Sequence, residues 1–375
     1  MAKILIVGGG FSGVIAAESL IKKLGDEHEI TLVSRSREFL FYPALVRLAF
    51  GRCTPDDISF NLRDAMLDRR VSFVEGEVAR INPRERKVTF AHGDLIGEMP
   101  YDFLVVALGR RLATERITGF FEHAHHLLSL NAAKRFSKAL ETFHQGRAVI
   151  GHCPGARLPV PLFETAFALS RLLEERGERN LCQITIVSSE TPDEMFGGVP
   201  ISAALNAALE AHGIELRSGF NIREAKPNSI IFDDGQALEC DLSMLLPPFR
   251  GPAALLGWGI TDEEDYIDVD HKMRVPAVEQ VYAAGDCVSF PGPKMGHMAV
   301  RQAEVVVDNL SAEIEGHASA AVYDHEMMLV LAIGENDSIF LHKKLWTDEP
   351  ADIQQSRFWG WAKRKQEHYW KAKHA

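Results

Sequence analysis

A run of glycines near the amino terminus constrains this chain more than any other feature. Lys3–Val7 is a short apolar, β-branched run. It leads into Gly8-Gly9-Gly10-Phe11-Ser12-Gly13, then an Ala/Leu-rich stretch from Val14 to Leu24, then Glu29–Val33. Strand, glycine turn, helix and strand within about thirty residues make the unit that seats a dinucleotide. Gly8 lets the chain turn off the strand. Gly10 lets a diphosphate approach the backbone, and Gly13 lets helix and strand pack closely. The diphosphate then rests on the unpaired amides and positive end of the helix. An acid for the adenosine ribose is expected at the end of the second strand. Ser34 stands there instead, followed by Arg35.

A second unit of the same kind starts at Arg147. Ala148–Gly151 reads as a strand, Pro161–Arg176 as a helix, and Gln183–Ser188 as the next strand, ending near Glu190. Its turn is Gly151-His152-Cys153-Pro154-Gly155-Ala156, with Cys153 at the middle glycine. A Cβ there crowds a diphosphate, so the fold repeats while the second dinucleotide site is impaired. Tyr101–Ala107 and Asp241–Leu246 read as buried strands. Val281–Asp286 is a last strand with a Gly-Asp end, whose carboxylate points into the ligand crevice of a doubly wound sheet. Ala299–Leu310 reads as a helix opening at that crevice.

With 375 residues the chain has room for two or three domains, and 46% hydrophobic residues exclude wholesale disorder. The net charge of −11 argues against nucleic acid as a partner. The five cysteines are too scattered for a disulfide framework or a zinc site, and no metal centre is expected. The start MAKILIVGGG has no secretory pattern, so the expected compartment is cytoplasmic, peripheral on the membrane face. His123, His125 and His126 read as part of a solvated connector.

These motifs, in this order, resemble the two-dinucleotide-domain, glutathione-reductase-like flavoproteins. Within them the chain is similar to the sulfide:quinone oxidoreductases and the type II NADH:quinone dehydrogenases. The residues carrying the resemblance are GGGFSG, Phe39–Pro43, Tyr101–Gly109, Pro159–Glu164, Leu246–Gly251, Ala283–Cys287 and Lys294–His297. It implies an α/β fold of two Rossmann-like domains with a C-terminal amphipathic segment. Residues 1–112 and 241–310 would form a discontinuous FAD-binding domain, 113–240 an NAD(P)-binding-like domain, and 311–375 an acceptor and membrane-docking region. It implies FAD held by Gly8, Gly10, Phe11, Ser12 and Gly13, with Ser34, Arg35, Pro43, Ala107, Gly109, Gly285, Asp286, Lys294 and Met295 around it. It also implies a quinone-like acceptor and a small-molecule reductant. Glu164 reads as a proton relay or as a helix-start acid, Lys294 as a charge at the flavin's pyrimidine end, and Gln302 as part of the quinone channel.

The departures bear on the electron donor. The cysteine pair of the sulfide enzymes is absent: one position is Leu158, the other falls in Met327–Glu335, which has no Cys. Cys153 is the lone nearby thiol, read as redox-active or as packing, and it also handicaps NAD(P)H. The expected function is an FAD-dependent oxidoreductase with NAD(P)H or another small donor. The alternatives are a true sulfide:quinone oxidoreductase with a non-standard cysteine, and an electron-transfer subunit working with a protein partner. Residues 355–375 carry six Lys/Arg and one Glu, leaving −16 on the rest. Four of the five tryptophans lie in the last thirty residues. On a helical wheel Phe358, Trp359, Ala362, Tyr369 and Trp370 share one side, the pattern of a headgroup-level anchor or of a homodimer contact.

Overall fold

The computed structural model describes residues 1–94, 96–334 and 337–375. Its path begins with β1 (Lys3–Val7), α1 (Phe11–Leu24), β2 (Glu29–Ser34), β3 (Ser72–Asn82), β4 (Lys87–Gly93), β5 (Gly97–Pro100) and β6 (Phe103–Val106). It continues through β7 (Gly146–His152), α2 (Pro159–Glu175), β8 (Cys182–Ser188), β9 (Ile214–Ser218), β10 (Leu242–Leu246), β11 (Val281–Ala283) and α3 (Gly296–Ile314). It closes with β12 (Glu326–Ala332), β13 (Ser338–Lys344), β14 (Asp352–Gln355) and α4 (Arg357–His374).

The first sheet runs β11-β6-β1-β2-β3-β4-β5. Its central strands pair in parallel, Lys3 opposite Glu29 and Ile4 opposite Phe103. Residues 4–7 and 104–106 are buried throughout, as strands covered on both faces must be. β11 joins this sheet from far along the chain, Val281 opposite Leu104, so the first sheet is built from segments distant in sequence. The second sheet, β9-β8-β7-β10, is wholly parallel, with Ala148 facing Ile184 on one side and Leu242 on the other. The parallel strands of both sheets make the α/β class and its repeat visible. Helices α1 and α3 pack together on the first sheet, burying Val14, Ala17 and Leu20 against Ala303, Val306 and Leu310.

The carboxyl-terminal region is a three-stranded antiparallel meander, β12-β13-β14, followed by α4. Met327, Leu329, Leu331, Ile339 and Leu341 of this meander join the core of the second sheet and α2. Helix α4 lies across both domains. Trp359 stacks on Phe340 at 4.0 Å, and Trp370 sits among Phe11, Phe39, Phe41 and Phe60 at 4.7 to 6.3 Å. This corrects the helical-wheel reading: both tryptophans face the body of the protein. The aromatic residues left outside are Phe358, Trp361 and Tyr369, each more than half exposed.

Candidate functional site

The glycine turn has the geometry the spacing foretold. Gly8 has φ +114°, and a Cβ on it would lie 2.0 Å from the Ala107 carbonyl oxygen. A Cβ on Gly13 would lie 1.8 Å from the Gly8 carbonyl oxygen. Both positions therefore require glycine for the protein's own packing. Gly10 differs: a Cβ there would meet nothing within 4 Å. It is the N-cap of α1, without a side-chain cap and without an acid in the first turn. Amide donors thus open onto free space at the positive end of the helix, which suits a diphosphate.

Two serines expected at the ligand turn out to be partly spent on the fold. Ser12 is buried and donates to the Ala284 carbonyl at 3.1 Å, tying the glycine turn to the β11 end. Ser34 is buried, and its hydroxyl accepts from the Ser36 amide at 3.3 Å. Gly9 must be glycine because a Cβ would come within 2.5 Å of that hydroxyl. Arg35 is exposed. Phe11 is buried against Phe39, Phe41, Tyr42 and Trp370. Pro43 follows Tyr42 of that nest in a short 3₁₀ turn, Tyr42–Ala44.

Across the crevice, Gly285 has φ +88° and its amide donates to Gln302 Oε1 at 2.7 Å. Gln302 is therefore a support of the Gly-Asp turn. Asp286 follows, buried, in an ion pair with Arg110, the residue after Ala107-Leu108-Gly109. Met295 caps α3. Lys294 is buried too, its Nζ bonded to the Val288 carbonyl and 4.4 Å above the Tyr266 ring. Burial, and then the nearby Arg157, hold its pKa well below the ordinary lysine value. Gly285, Asp286, Lys294, Met295 and Gln302 line one small cavity, and the glycine turn is tied to its edge through Ser12. Arg110, Arg157 and Tyr266 belong to the same place and were missed. The sequence signal was an arginine directly after a strand-ending glycine.

The second turn has a different build. Six residues separate β7 from α2, which starts at Pro159 with Leu158 as N-cap and no side-chain cap. Pro159 and Pro161 remove two first-turn amides. Cys153 is fully buried with Val149, Val187, Ile222 and Leu245, and burial pushes its thiol far up. A redox role needs an accessible thiolate, so this placement is that of a packing cysteine. His152 is 1% exposed with neither ring nitrogen hydrogen-bonded, and burial lowers its pKa to about 4. Glu190, at the ribose-acid position, is 3.8 Å from it, and burial raises its pKa.

Glu164 lies in the first half of α2, buried. Its Oε1 accepts from the Ala332 amide at 2.9 Å and from Lys363 Nζ of α4 at 2.6 Å. It ties three regions together at the meander, where the second cysteine position was sought; Glu335 of that segment lies outside the described residues. His125 and His126 line a cavity of about 350 Å³ with His123 and Arg135. Among the described residues no cluster suited to a metal ion occurs. Among the described residues, no helix is long and apolar enough to cross a membrane.

Comparison with known proteins sharpens this picture. The family model for pyridine nucleotide-disulphide oxidoreductases matches residues 2–303. The chain is 26% identical over 363 residues to a sulfide-quinone reductase of Aquifex aeolicus, covering 91% of this chain and 83% of that one. It is 26% identical over 337 residues to a type II NADH:quinone oxidoreductase of Haemophilus influenzae, covering 77% and 74%. The crystal structure of the Aquifex aeolicus sulfide:quinone oxidoreductase superposes with a TM-score of 0.93 at 23% identity, over all of this chain and 91% of that one.

Proposed function

The chain belongs to the pyridine nucleotide-disulphide oxidoreductase family, whose members are FAD-dependent oxidoreductases, and from that premise we propose that it carries electrons from a small reductant through FAD to a quinone-like acceptor. The observation that carries this reading is the first-domain crevice. There the uncapped turn at Gly10, open beside its Cα, is joined through Ser12 to Ala284, next to Gly285 and the buried Asp286, and Lys294 lines the same small cavity as these two. These residues fit FAD. The α1 amides would hold its diphosphate, and Asp286 would hold its ribityl chain. Lys294 and Met295 would border the pyrimidine end. When bound, FAD supplies two-electron chemistry at a planar ring. The chain's own residues supply the rest. Gly8 and Gly13 keep the turn tight, Ser12 and Gln302 fix the Gly-Asp turn, and the Lys294 amine, its charged form disfavoured by burial, is placed to take up a proton where negative charge develops.

The donor is the finer question. NAD(P)H needs a second diphosphate seat, and the β7–α2 turn fits one poorly, with Cys153 in the way and two amides replaced by prolines. The family route for sulfide needs paired cysteines, and Leu158 stands in one place. Four of the five thiols are buried, and Cys53 is half-buried. We therefore favour a small reductant other than NAD(P)H or sulfide. The same two losses favour, as a second reading, a flavin subunit reduced by a protein partner. Anaerobic titration of the yellow protein with NADH, sulfide and other small donors, followed by flavin absorbance, tests both. Bleaching by NADH defeats the choice of donor, and bleaching by no small molecule selects the partner reading.

The outer face of α4 presents Phe358, Trp361, Lys365 and Tyr369 at helical spacing, all exposed. Aromatic rings with lysine suit a lipid headgroup layer. Replacing Phe358, Trp361 and Tyr369 together by serine should abolish co-sedimentation with anionic liposomes while leaving the flavin spectrum intact. Unchanged co-sedimentation would leave this face to a protein contact, such as a second copy of the chain.

A further inference from the structure

Arg110 has no part in the glycine fingerprint, yet it stands where the cofactor-facing groups converge. It follows Gly109 at the end of β6 and is paired with Asp286, with only 11% and 8% of the two side chains exposed. Its guanidinium lies 4.1 Å over the Phe249 ring and 5.5 Å from the Tyr42 ring, next to Pro43. Arg157 and Lys294 approach the Tyr266 ring at 5.3 and 4.4 Å. Arg157 Nε donates to the Gly292 carbonyl at 2.9 Å. The acids nearby are Asp286, held by Arg110, Asp262, whose Oδ1 accepts from the Glu264 and Tyr266 amides, Glu264 beside Tyr266, and Glu190 within electrostatic reach of Arg157. Two guanidinium groups and the Lys294 amine thus converge on one place, where Asp286 is the ion-paired carboxylate. Arg110 Nε is buried there without a hydrogen-bond partner. Buried like charges repel and unpaired buried donors are costly, so such a cluster is matched to an anion.

We propose that Arg110 is a positioning residue of the cofactor site: it aims the Asp286 carboxylate at the ribityl chain and, with Arg157, sets a positive field that favours the anionic reduced flavin. This rests on the FAD reading above. Two electrons and one proton turn oxidised flavin into a reduced form carrying one negative charge on the pyrimidine ring. A fixed guanidinium nearby stabilises that form and not the neutral oxidised one. Lysine in its place keeps the charge, but it can neither grip a carboxylate with two donors nor lie flat on Phe249.

The test is the midpoint potential of the FAD-loaded protein, measured by slow reduction against a reference dye, with the FAD dissociation constant alongside. Arg110→Met should shift the potential negative and weaken FAD binding about tenfold. Arg110→Lys should return the potential towards wild type while FAD binding stays weak. Should Arg110→Met not fold, Arg157→Met removes a second charge of the cluster and must also shift the potential negative. A wild-type potential in Arg110→Met, equal shifts in the Met and Lys variants, or no shift in a folded Arg157→Met would overturn the proposal. A wild-type chain that binds no FAD would instead overturn the functional reading beneath it.

Discussion

The two glycine-containing turns of this chain begin from the same strand–turn–helix plan and end as different objects. In the first, β1 passes directly into α1, and the one glycine without a packing reason, Gly10, borders open space. In the second, Gly151 still serves packing, since a Cβ there would meet Leu245 at 2.4 Å. The ligand-facing position has become Cys153, sealed into the core, and the helix starts late on prolines. Packing constraints hold in both turns, and open space at the middle position is found only in the first. A fold can repeat without repeating that opening, because packing and opening depend on different positions of the turn.

The sharpest way to break this comparison is to add one methyl group at two neighbouring sites. Gly13→Ala should cost about 3 kcal/mol or more, because its Cβ is driven into the Gly8 carbonyl. Thermal melting of the flavin-free protein reads that loss. Gly10→Ala should leave the same melt unchanged yet weaken FAD binding roughly tenfold, about 1.4 kcal/mol. Equal melting losses in both variants would erase the distinction between packing and ligand glycines.

The second turn predicts an acid sensitivity that the first lacks. His152 has a folded pKa of about 4 against an unfolded value of about 6.5. Above pH 6.5 both states are neutral there and the histidine contributes nothing. As pH falls from 6.5 towards 4, the unfolded chain takes up a proton that the folded chain refuses, so stability drops by up to about 3 kcal/mol. Denaturant melts of wild type and His152→Phe between pH 7 and 4 should diverge in that window, the variant losing less. Parallel curves would show that the imidazole is not held neutral.

The smallest effect tests whether the second seat can be rebuilt. Cys153→Gly completes the fingerprint on paper. It should cost about 1–2 kcal/mol through lost burial and added chain freedom. It should not make the flavin reducible by NADH, since Pro159 and Pro161 still deny amides to a diphosphate. Bleaching of this variant by NADH would show that one side chain was the whole obstacle.

Much of this was legible in the sequence because period and punctuation are local. The β1–α1–β2 unit, the Gly-Asp turn after β11 and the impaired second turn each lie within a few residues. What was not legible depends on residues far apart in the chain. Arg110 meets Asp286 across 176 positions, and Lys363 meets Glu164 across 199. The wheel for α4 grouped Trp359 and Trp370 with the outer aromatics because periodicity shows which residues share a side, not what covers it. Ser12 and Gln302 were read as facing the cofactor and the quinone channel, while their hydrogen bonds go to the backbone of Ala284 and Gly285.

Helix α4 is fastened at both ends. Near its start Trp359 lies on β13, and at its last turn His374 is buried against Glu18 of α1, which Arg69 also grips. A rod pinned in this way cannot swing out or plunge end-first into a bilayer. It can only lie flat, offering one long flank. A lipid surface would then set the tilt of the entire molecule, and an acceptor dissolved in that lipid would arrive from the side, beneath the rod.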